Sequence, residues 1–264
     1  MKDGARKDAD HLITGIDWLI TVDPGRRIIR NGAIAIKDGR FAAVGSSAAI
    51  EAEWRADEVS QGRDRVATPG LIDNHLHTSF HLSRGLADEA NAQTFLFERM
   101  YPYEGVLSAE DVSVSASLAA MELLKHGVTC FIDPGNYHPK ATVDAVSATG
   151  IRLVASRSSF DKTKSVMGLL PKAMIETTGQ ALERAEEVLA AYQPAPDGRI
   201  RASVCFRGLN NASDELILGL RALAETYDCL LQTHACFSYS THDGSIAACG
   251  MPEIERLEAL GVLD

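Results

Sequence analysis

Two histidines one residue apart, His75 and His77, are the residues of this sequence best suited to chemistry. They end an apolar run in PGLIDNHLH, residues 69–77, in a chain of 264 residues that has eight histidines. Side chains at positions i and i+2 of a strand lie on the same side, about 6–7 Å apart. Two neutral imidazoles placed in this way can bind one divalent cation. The alternative is a chance pair of surface or core histidines.

A third histidine ends another apolar run, CLLQTHA at residues 229–235. If this run is a strand, Leu230, Gln232 and His234 face the same side of it. In an α/β barrel the carboxyl ends of the strands form the rim where active sites lie. His234 could therefore meet the first pair across the sheet, and a histidine satisfied within the core is the alternative interpretation.

The first part of the chain, residues 1–64, is predicted to be a small β unit. Two runs of alternating polarity, HLITGIDWLITVD and GAIAIKDGRFAAVG, are typical of antiparallel strands. The Asp-Gly pair at residues 38–39 predicts a hairpin turn within the second run. Such a unit has exposed edges unless further strands join it.

The second part, residues 65–264, alternates apolar strand-like runs with helical patterns and predicts an α/β fold with a parallel sheet. Ser108, the segment that begins at Asn211, and Pro252 mark the starts of three helices. Five strand–helix units can be counted, whereas a closed (β/α)₈ barrel needs eight and about 250 residues. The sheet is therefore either open or an incomplete barrel.

Composition excludes several classes of partner. The formal net charge is −10, and no basic cluster is visible, which argues against nucleic acid and anionic membranes. The five cysteines form no CxxC pair, which is typical of reduced thiols. The charged amino terminus lacks the apolar core of a signal peptide. We therefore expect a cytoplasmic protein with a small-molecule substrate.

Several motifs together resemble the amidohydrolase superfamily, in particular its cytosine deaminase and triazine hydrolase branch. PGLIDNHLH resembles the first barrel strand of these enzymes, and NGAIAIKDGRFAAVG resembles their amino-terminal β unit. The segments that follow resemble later parts of the same branch, and they read HLSRGLAD, LLKHGVTCFID, GIRLVASRSSFD and LLQTHACF. The resemblance implies a (β/α)₈ TIM-like barrel, of which residues 65–264 would supply about the first five βα units. It also implies that residues 1–64 form part of a small β-sandwich.

The resemblance also implies a metal site. His75, His77 and His234 match the family's metal-binding histidines. Relatives with two metals use a lysine on the fourth strand, and RIRASVCFRG has none, so one divalent metal ion is expected. Zinc is the preferred metal and iron is the alternative, because three imidazoles suit both.

Two departures from the family pattern concern catalysis. Many deaminases of this branch carry a glutamate two or three residues after the third histidine, and here that stretch reads Ala235-Cys236-Phe237. His242 and Asp243 are the candidate replacements. The family's sixth-strand histidine and eighth-strand aspartate have no counterpart here, which predicts a chain truncated at its carboxyl end.

Four further residues are candidates for substrate binding: His81, Arg84, Asp133 and Asn136. The resemblance implies hydrolysis of a C–N bond in a cyclic amidine or amide, nucleobase- or triazine-like, by metal-activated water. A hydrolase that expels chloride or an alkylamine from a triazine is the alternative within enzymes. An inactive metal-binding or structural fragment is the alternative of another class, and a homo-oligomer stays open.

Overall fold

The computed structural model describes residues 6–165, 168–193 and 198–263 and divides into a unit of residues 1–70 and a unit of residues 71–264. Both units contain strands and helices, so the α/β character predicted from the sequence is confirmed. Within the described ranges, no helix combines the length and the apolar character that crossing a membrane requires.

The first unit is built around one mixed sheet and a single described helix. Strand β2 lies at its centre and pairs antiparallel with β3, which in turn pairs antiparallel with β4. The elements are β1 (Lys7–Asp8), β2 (His11–Ile20), β3 (Ile28–Lys37), β4 (Arg40–Ser46), α1 (Ser47–Glu53), β5 (Trp54–Arg55), β6 (Glu58–Gln61) and β7 (Val66–Ala67).

The predicted hairpin forms between β3 and β4. Asp38 and Gly39 both have positive φ, 51° and 68°, which is the backbone of a type I′ turn. The antiparallel pairing expected of the two alternating runs is present among β2, β3 and β4, whereas β6 and β7 both pair with β2 in the parallel direction. The chain returns to β2 through α1, and that crossover brings the later strands in parallel.

The second unit contains a parallel sheet whose strands follow the order of the chain. Five strands lie side by side, each parallel to its neighbour. Short breaks divide two of them into β10 with β11 and β14 with β15, which gives seven segments. The segments are β8 (Leu71–Asp73), β9 (Val128–Ile132), β10 (Arg152–Ala155), β11 (Ser158–Ser159), β14 (Ile200–Ala202), β15 (Val204–Phe206) and β16 (Leu231–Thr233). A small antiparallel pair, β12 (Lys164–Ser165) and β13 (Gly168–Leu169), lies outside this sheet.

Helices connect the parallel strands. They are α2 (Tyr101–Glu104), α3 (Ala109–Lys125), α4 (Pro139–Ser147), α5 (Thr178–Tyr192), α6 (Asp214–Tyr227), α7 (Tyr239–Cys249) and α8 (Glu253–Ala259). A π-helical turn at Thr94–Met100 and 3₁₀ turns at Thr78–Ser83, Lys172–Met174 and Leu209–Asn211 complete the unit. The five βα units expected from the sequence are thus present, and their place in an eight-unit barrel stays a proposal.

Local signals in the sequence set the helix starts. The Ser108 hydroxyl accepts a hydrogen bond from the Asp111 backbone N–H, and the Asp111 carboxylate accepts one from the Ser108 backbone N–H. This capping box confirms the helix start predicted at Ser108. The start predicted from Asn211 is shifted, because Ser213 is the residue that caps α6 and Asn211 lies in the preceding 3₁₀ turn. Ser213 has the preferred side chain at the position directly before the helix.

The core of the second unit joins helix faces to the sheet. Leu216 and Leu220 of α6 are fully buried in one cluster with Val204 and Phe206 of β15. These apolar side chains each contribute about 1.5–3 kcal/mol when they are removed from water. The carboxyl ends of the strands are therefore held in fixed positions, which a site at that edge requires.

Gly135, just after β9, lies where any side chain would strain the backbone and contact neighbouring atoms too closely. Its φ is +96°, and an added Cβ would lie 2.5 Å from the backbone nitrogen of Ser158. Gly127 also has positive φ, +80°, but an added Cβ there would meet no atom within 4 Å.

We expect Gly135→Ala to lower the free energy of unfolding by about 3 kcal/mol, from left-handed strain and overpacking together. Gly127→Ala should cost about 1 kcal/mol, because it adds the backbone strain alone. Urea denaturation of both variants measures the difference. Equal losses would contradict the close backbone approach at Gly135.

Candidate metal centre

The first two histidines follow β8 on a segment that continues beside β9. The Leu76 backbone N–H donates to the carbonyl of Ile132 at 3.0 Å, and the Leu76 side chain packs against the hydrophobic core. Because side chains alternate along extended backbone, His75 and His77 both project away from that core. The Asp73 carboxylate accepts a hydrogen bond from the His75 backbone N–H at 3.1 Å and steadies the turn.

The third histidine follows β16, beside the end of β15. Phe206 pairs with Thr233 in the parallel register, so Arg207 and His234 leave their strands next to each other. Nδ1 of His234 lies 2.7 Å from the backbone carbonyl oxygen of Arg207. A carbonyl oxygen can only accept, so Nδ1 carries the hydrogen and Nε2 keeps its lone pair. Hydrogen bonds of this kind typically orient histidines that bind metals.

The three imidazoles converge on one point. Nε2 of His234 lies 3.1 Å from Nε2 of His77 and 3.2 Å from Nε2 of His75. The ring centroids are 4.8–5.2 Å apart, and one nitrogen from each ring lies within 4.8 Å of the other two. The structure therefore brings together the three residues that the sequence predicted as metal ligands, in an arrangement that could hold one ion.

The surroundings keep these rings uncharged. Burial, reinforced by the positive charge of Arg207, lowers the pKa of His234 to about 4. The same two causes lower the pKa of His77 well below its ordinary value and that of His75 below its ordinary value. Neutral imidazoles have free lone pairs, so at pH 7 all three rings are ready to act as ligands.

A cavity of about 360 Å³ opens beside the three histidines. Most of its wall is apolar, and besides the three histidines five lining residues carry aromatic rings, namely Phe80, Phe95, Phe97, Tyr101 and Phe237. The polar wall includes Arg207, Asn210, Thr241 and Glu253. A planar, largely apolar molecule suits such a space, because aromatic walls stack on flat rings.

Arg207 is locked in place beneath this cavity. Its guanidinium donates to the Glu104 carboxylate at 3.0 Å and to the Ser158 hydroxyl at 3.0 Å. The guanidinium also lies 5.6 Å from the ring centre of Phe80 and 5.5 Å from that of Tyr101. Both members of the ion pair are almost fully buried, so loss of either would leave an uncompensated charge.

Asp133 and Asn136, predicted to contact substrate, are fully buried instead. The Asp133 carboxylate accepts hydrogen bonds from Thr78 and from the Gly135 backbone, and burial raises its pKa to about 6. The Asn136 side chain donates to Thr142 at 2.9 Å and accepts from the His138 backbone. Their polar atoms thus support the loop after β9, and neither is among the described residues that line the cavity.

His81 and Arg84, the other predicted substrate contacts, share the carboxylate of Glu122 on α3. Nε2 of His81 lies 3.4 Å from it, and Arg84 forms an ion pair with the same oxygen. Arg84 is largely exposed, while burial lowers the pKa of His81. Neither residue is present among the described lining residues of the cavity.

The candidate acid–base residues after His234 lie on helix α7. His242 borders a separate surface depression with Tyr239 and Ser240, and Asp243 is exposed. Because α7 begins at Tyr239, its residues turn away from the strand end instead of continuing past the histidines. Within the described chain, the structure does not bring His242 or Asp243 to the cavity.

Sequence reasoning missed Arg207, Glu253 and the aromatic wall. Arg207 directly follows the buried run VCF, a position where a strand end presents a side chain to the rim, and this signal was available. Glu253 follows Pro252 in the first turn of a helix, where acidic residues are common for reasons of helix stability. Its sequence context therefore carries no sign of a buried role.

The sequence of this chain matches a family model and several known proteins. Residues 66–264 match the model of the amidohydrolase family. A 5-methylthioadenosine/S-adenosylhomocysteine deaminase from Desulforamulus reducens is 29% identical over 245 residues, which cover 92% of this chain and 53% of the relative. A 5'-deoxyadenosine deaminase from Methanosarcina acetivorans has the same identity and coverage. The chain thus spans about half the length of these relatives.

Solved structures share the fold. An adenosine deaminase from Xanthomonas campestris with bound zinc superposes with a TM-score of 0.88 at 22% identity, over 98% of this chain and 57% of that one. A triazine hydrolase from Arthrobacter aurescens superposes with a TM-score of 0.85 at 25% identity, over 96% and 58% of the two chains.

These neighbours have a TIM-barrel-like α/β fold, in agreement with the parallel sheet seen here. The family model covers the whole segment from β7 to the end of the chain, including the three converging histidines. The chain therefore belongs to the amidohydrolase family.

Proposed function

We propose that this protein hydrolyses a C–N bond in a cyclic amidine or amide, nucleobase- or triazine-like, with one divalent metal ion. The single observation that carries the proposal is the convergence of His75, His77 and His234 beside an aromatic cavity. Deaminases among the relatives support an amino group as the leaving group. We further propose zinc in preference to iron, since a solved neighbour contains zinc.

The three residues fit a metal ion of this kind. Two nitrogens that each lie about 2.0–2.1 Å from a tetrahedral zinc ion are about 3.3 Å apart. The Nε2 atoms here are separated by 3.1 Å and 3.2 Å, close to that value. The lone pair on Nε2 of His234 is free because Nδ1 is bonded to the Arg207 carbonyl. We propose His75, His77 and His234 as the ligands on these grounds.

A divalent cation at this site would supply Lewis acidity and a hydroxide nucleophile at neutral pH. The chain itself supplies the binding space for the substrate. Phe80 stacks beside His77, with ring centres 5.1 Å apart, and continues the flat surface away from the histidines. A planar ring placed against Phe80 would therefore present its edge to the three nitrogens, and the aromatic wall would exclude bulk water.

A second candidate within the same chemistry is hydrolysis of a triazine with release of chloride or an alkylamine. Phe237, three residues after His234, is an apolar member of the cavity wall and supplies no proton-transfer group at that position. A good leaving group needs less protonation, so this feature favours the alternative. The triazine hydrolase among the solved neighbours also supports it.

The proposal is tested by turnover of a panel of compounds. We expect the zinc-loaded chain to release ammonia from adenosine-type nucleosides or guanine, measured by a coupled ammonia assay. Release of chloride from a chlorinated triazine without ammonia release would instead establish the second candidate. If the chain binds metal but hydrolyses neither the purine compounds nor the triazines, both proposed activities are overturned. That result would support a metal-binding protein with a structural role.

Metal binding is tested directly by elemental analysis. We expect the purified chain to retain about one equivalent of zinc or iron, and His77→Ala to lose most of it, because two nitrogens hold a cation far more weakly than three. His126→Ala is the matched control, since His126 lies at the exposed end of α3. Equal metal contents in the two variants would exclude His77 as a ligand.

The depressed pKa of His234 predicts the acid sensitivity of the metal-free protein. Its folded-state pKa is about 4, whereas an exposed histidine in the unfolded chain titrates near 6.5. The stability linked to His234 is complete above about pH 6.5 and is lost as the pH falls toward 4, by about 2–3 kcal/mol.

His234→Gln removes this titration, so its stability should fall less steeply than that of the wild type over the same pH range. Urea midpoints between pH 7 and pH 4.5, with His126→Gln as the control, measure the two slopes. Parallel curves for His234→Gln and the wild type would show that His234 is not held neutral by its surroundings.

A further inference from the structure

The proposed reaction needs a group that transfers protons. Most polar groups at the cavity already have hydrogen-bond or ion-pair partners. The Nε2 atoms of the three histidines face one another, and Nδ1 of His234 bonds the Arg207 carbonyl. Arg207 is paired with Glu104 and stays charged. Among the described residues of the wall, a carboxylate or a phenol is therefore the candidate for general acid–base catalysis.

Glu253 is the carboxylate among the described residues that line the cavity. It is the first residue of α8, and it is 2% exposed. Oε2 accepts hydrogen bonds from the Cys236 backbone N–H at 2.8 Å and from the Thr241 hydroxyl at 3.2 Å. Both of these bonds fall on Oε2, and the Cys236 thiol also interacts with the carboxylate, so Glu253 is anchored in the cavity wall.

The anchor holds this carboxylate close to the third histidine. Cys236 follows His234 by two residues, and consecutive Cα atoms are about 3.8 Å apart. Cys236 has a φ of +56°, a left-handed conformation that costs about 1–2 kcal/mol for a residue other than glycine. The hydrogen bond to Glu253 compensates for this strain and turns the loop so that His234 and Glu253 border the same space.

Tyr101 is the alternative proton-transfer group in the wall. Burial raises the pKa of its phenol above the ordinary value, which leaves it protonated and a poor base at neutral pH. The charged and titratable groups that share the cavity with Glu253 are His75, His77, His234, Tyr101 and Arg207. Of these groups, Glu253 supplies the carboxylate, a kind of side chain that serves as a general acid–base group.

We propose that Glu253 is the catalytic acid–base residue of this site, which rests on the hydrolytic function proposed above. Its carboxylate takes one proton from the attacking water as the new C–O bond forms at the sp² carbon. The electron pair of the C=N bond moves to the ring nitrogen, and Glu253 returns the proton to that nitrogen. A second proton passes by the same route from the new hydroxyl to the departing amine, which leaves as ammonia when the C–N bond breaks.

The first test needs no substrate. The chain is loaded with cobalt(II), and its visible spectrum is followed from pH 5 to pH 9, where ionisation of water at the ion changes the absorption. A neighbouring anion disfavours loss of the water proton, so Glu253→Gln should lower the midpoint by about one pH unit. Glu255→Gln, two residues away on the exposed face of α8, is the matched control and should leave the midpoint unchanged.

The outcomes separate this inference from the proposed function. A chain that takes up no cobalt overturns the metal site and, with it, both proposals. A chain that binds cobalt but shows the same midpoint in Glu253→Gln and the wild type overturns the role of Glu253 alone. A lowered midpoint with unchanged absorption intensity supports the role, because the ligand geometry is then intact.

A second test separates proton transfer from mere support of the Cys236 loop. Glutamine can still accept the hydrogen bond from Cys236, whereas alanine cannot. With a compound that the wild type turns over, Glu253→Gln should lose at least about 100-fold in kcat with little change in KM, as expected for loss of a general acid–base group. Formate should restore part of the activity of Glu253→Ala. Near-normal kcat in Glu253→Gln, together with a large loss in Glu253→Ala, would overturn the proposal in favour of a positioning role.

Discussion

The hydrogen bond between Nδ1 of His234 and the carbonyl oxygen of Arg207 is the interaction on which the rest of the site depends. It joins the ends of two neighbouring parallel strands, fixes which nitrogen carries the hydrogen and aims Nε2 at His75 and His77. The carbonyl is itself held in place because the side chain of the same residue is tied to Glu104. A buried ion pair thus sets the orientation of an imidazole through the backbone.

The sequence predicted the features that depend on side-chain alternation along strands and on short turn and helix-capping motifs. Alternation along extended backbone put His75 and His77 on one side, and the structure shows Leu76 on the other side, packed in the core. The Asp-Gly hairpin and the Ser108 capping box depend on a few adjacent residues, so their signals lie entirely within short stretches. Predicting His234 as a metal ligand required two signals together, its position at the end of an apolar run and the family resemblance.

Features that depend on contacts between residues far apart in the sequence could not be predicted from it. Asp133 and Asn136 have the residue types of substrate contacts, but the turn at Gly135 directs them into hydrogen bonds with Thr78 and Thr142. Glu253 comes to the cavity because α7 and α8 fold back beneath the strand end, and no periodicity in the sequence encodes that return. The parallel pairing of β6 and β7 with β2 is likewise set by a crossover through α1.

The ion pair between Arg207 and Glu104 has a consequence for what can enter the cavity. Among the described lining residues this guanidinium is the permanent cation, and its charge is already balanced by a carboxylate on the far side. An anionic ligand would gain no free counter-charge from this guanidinium and would face the rings of Phe80, Phe95 and Phe237. Under the function proposed above, the aromatic walls and the paired guanidinium would favour a flat, uncharged ring, and an anion would find its counter-charge only at the metal ion.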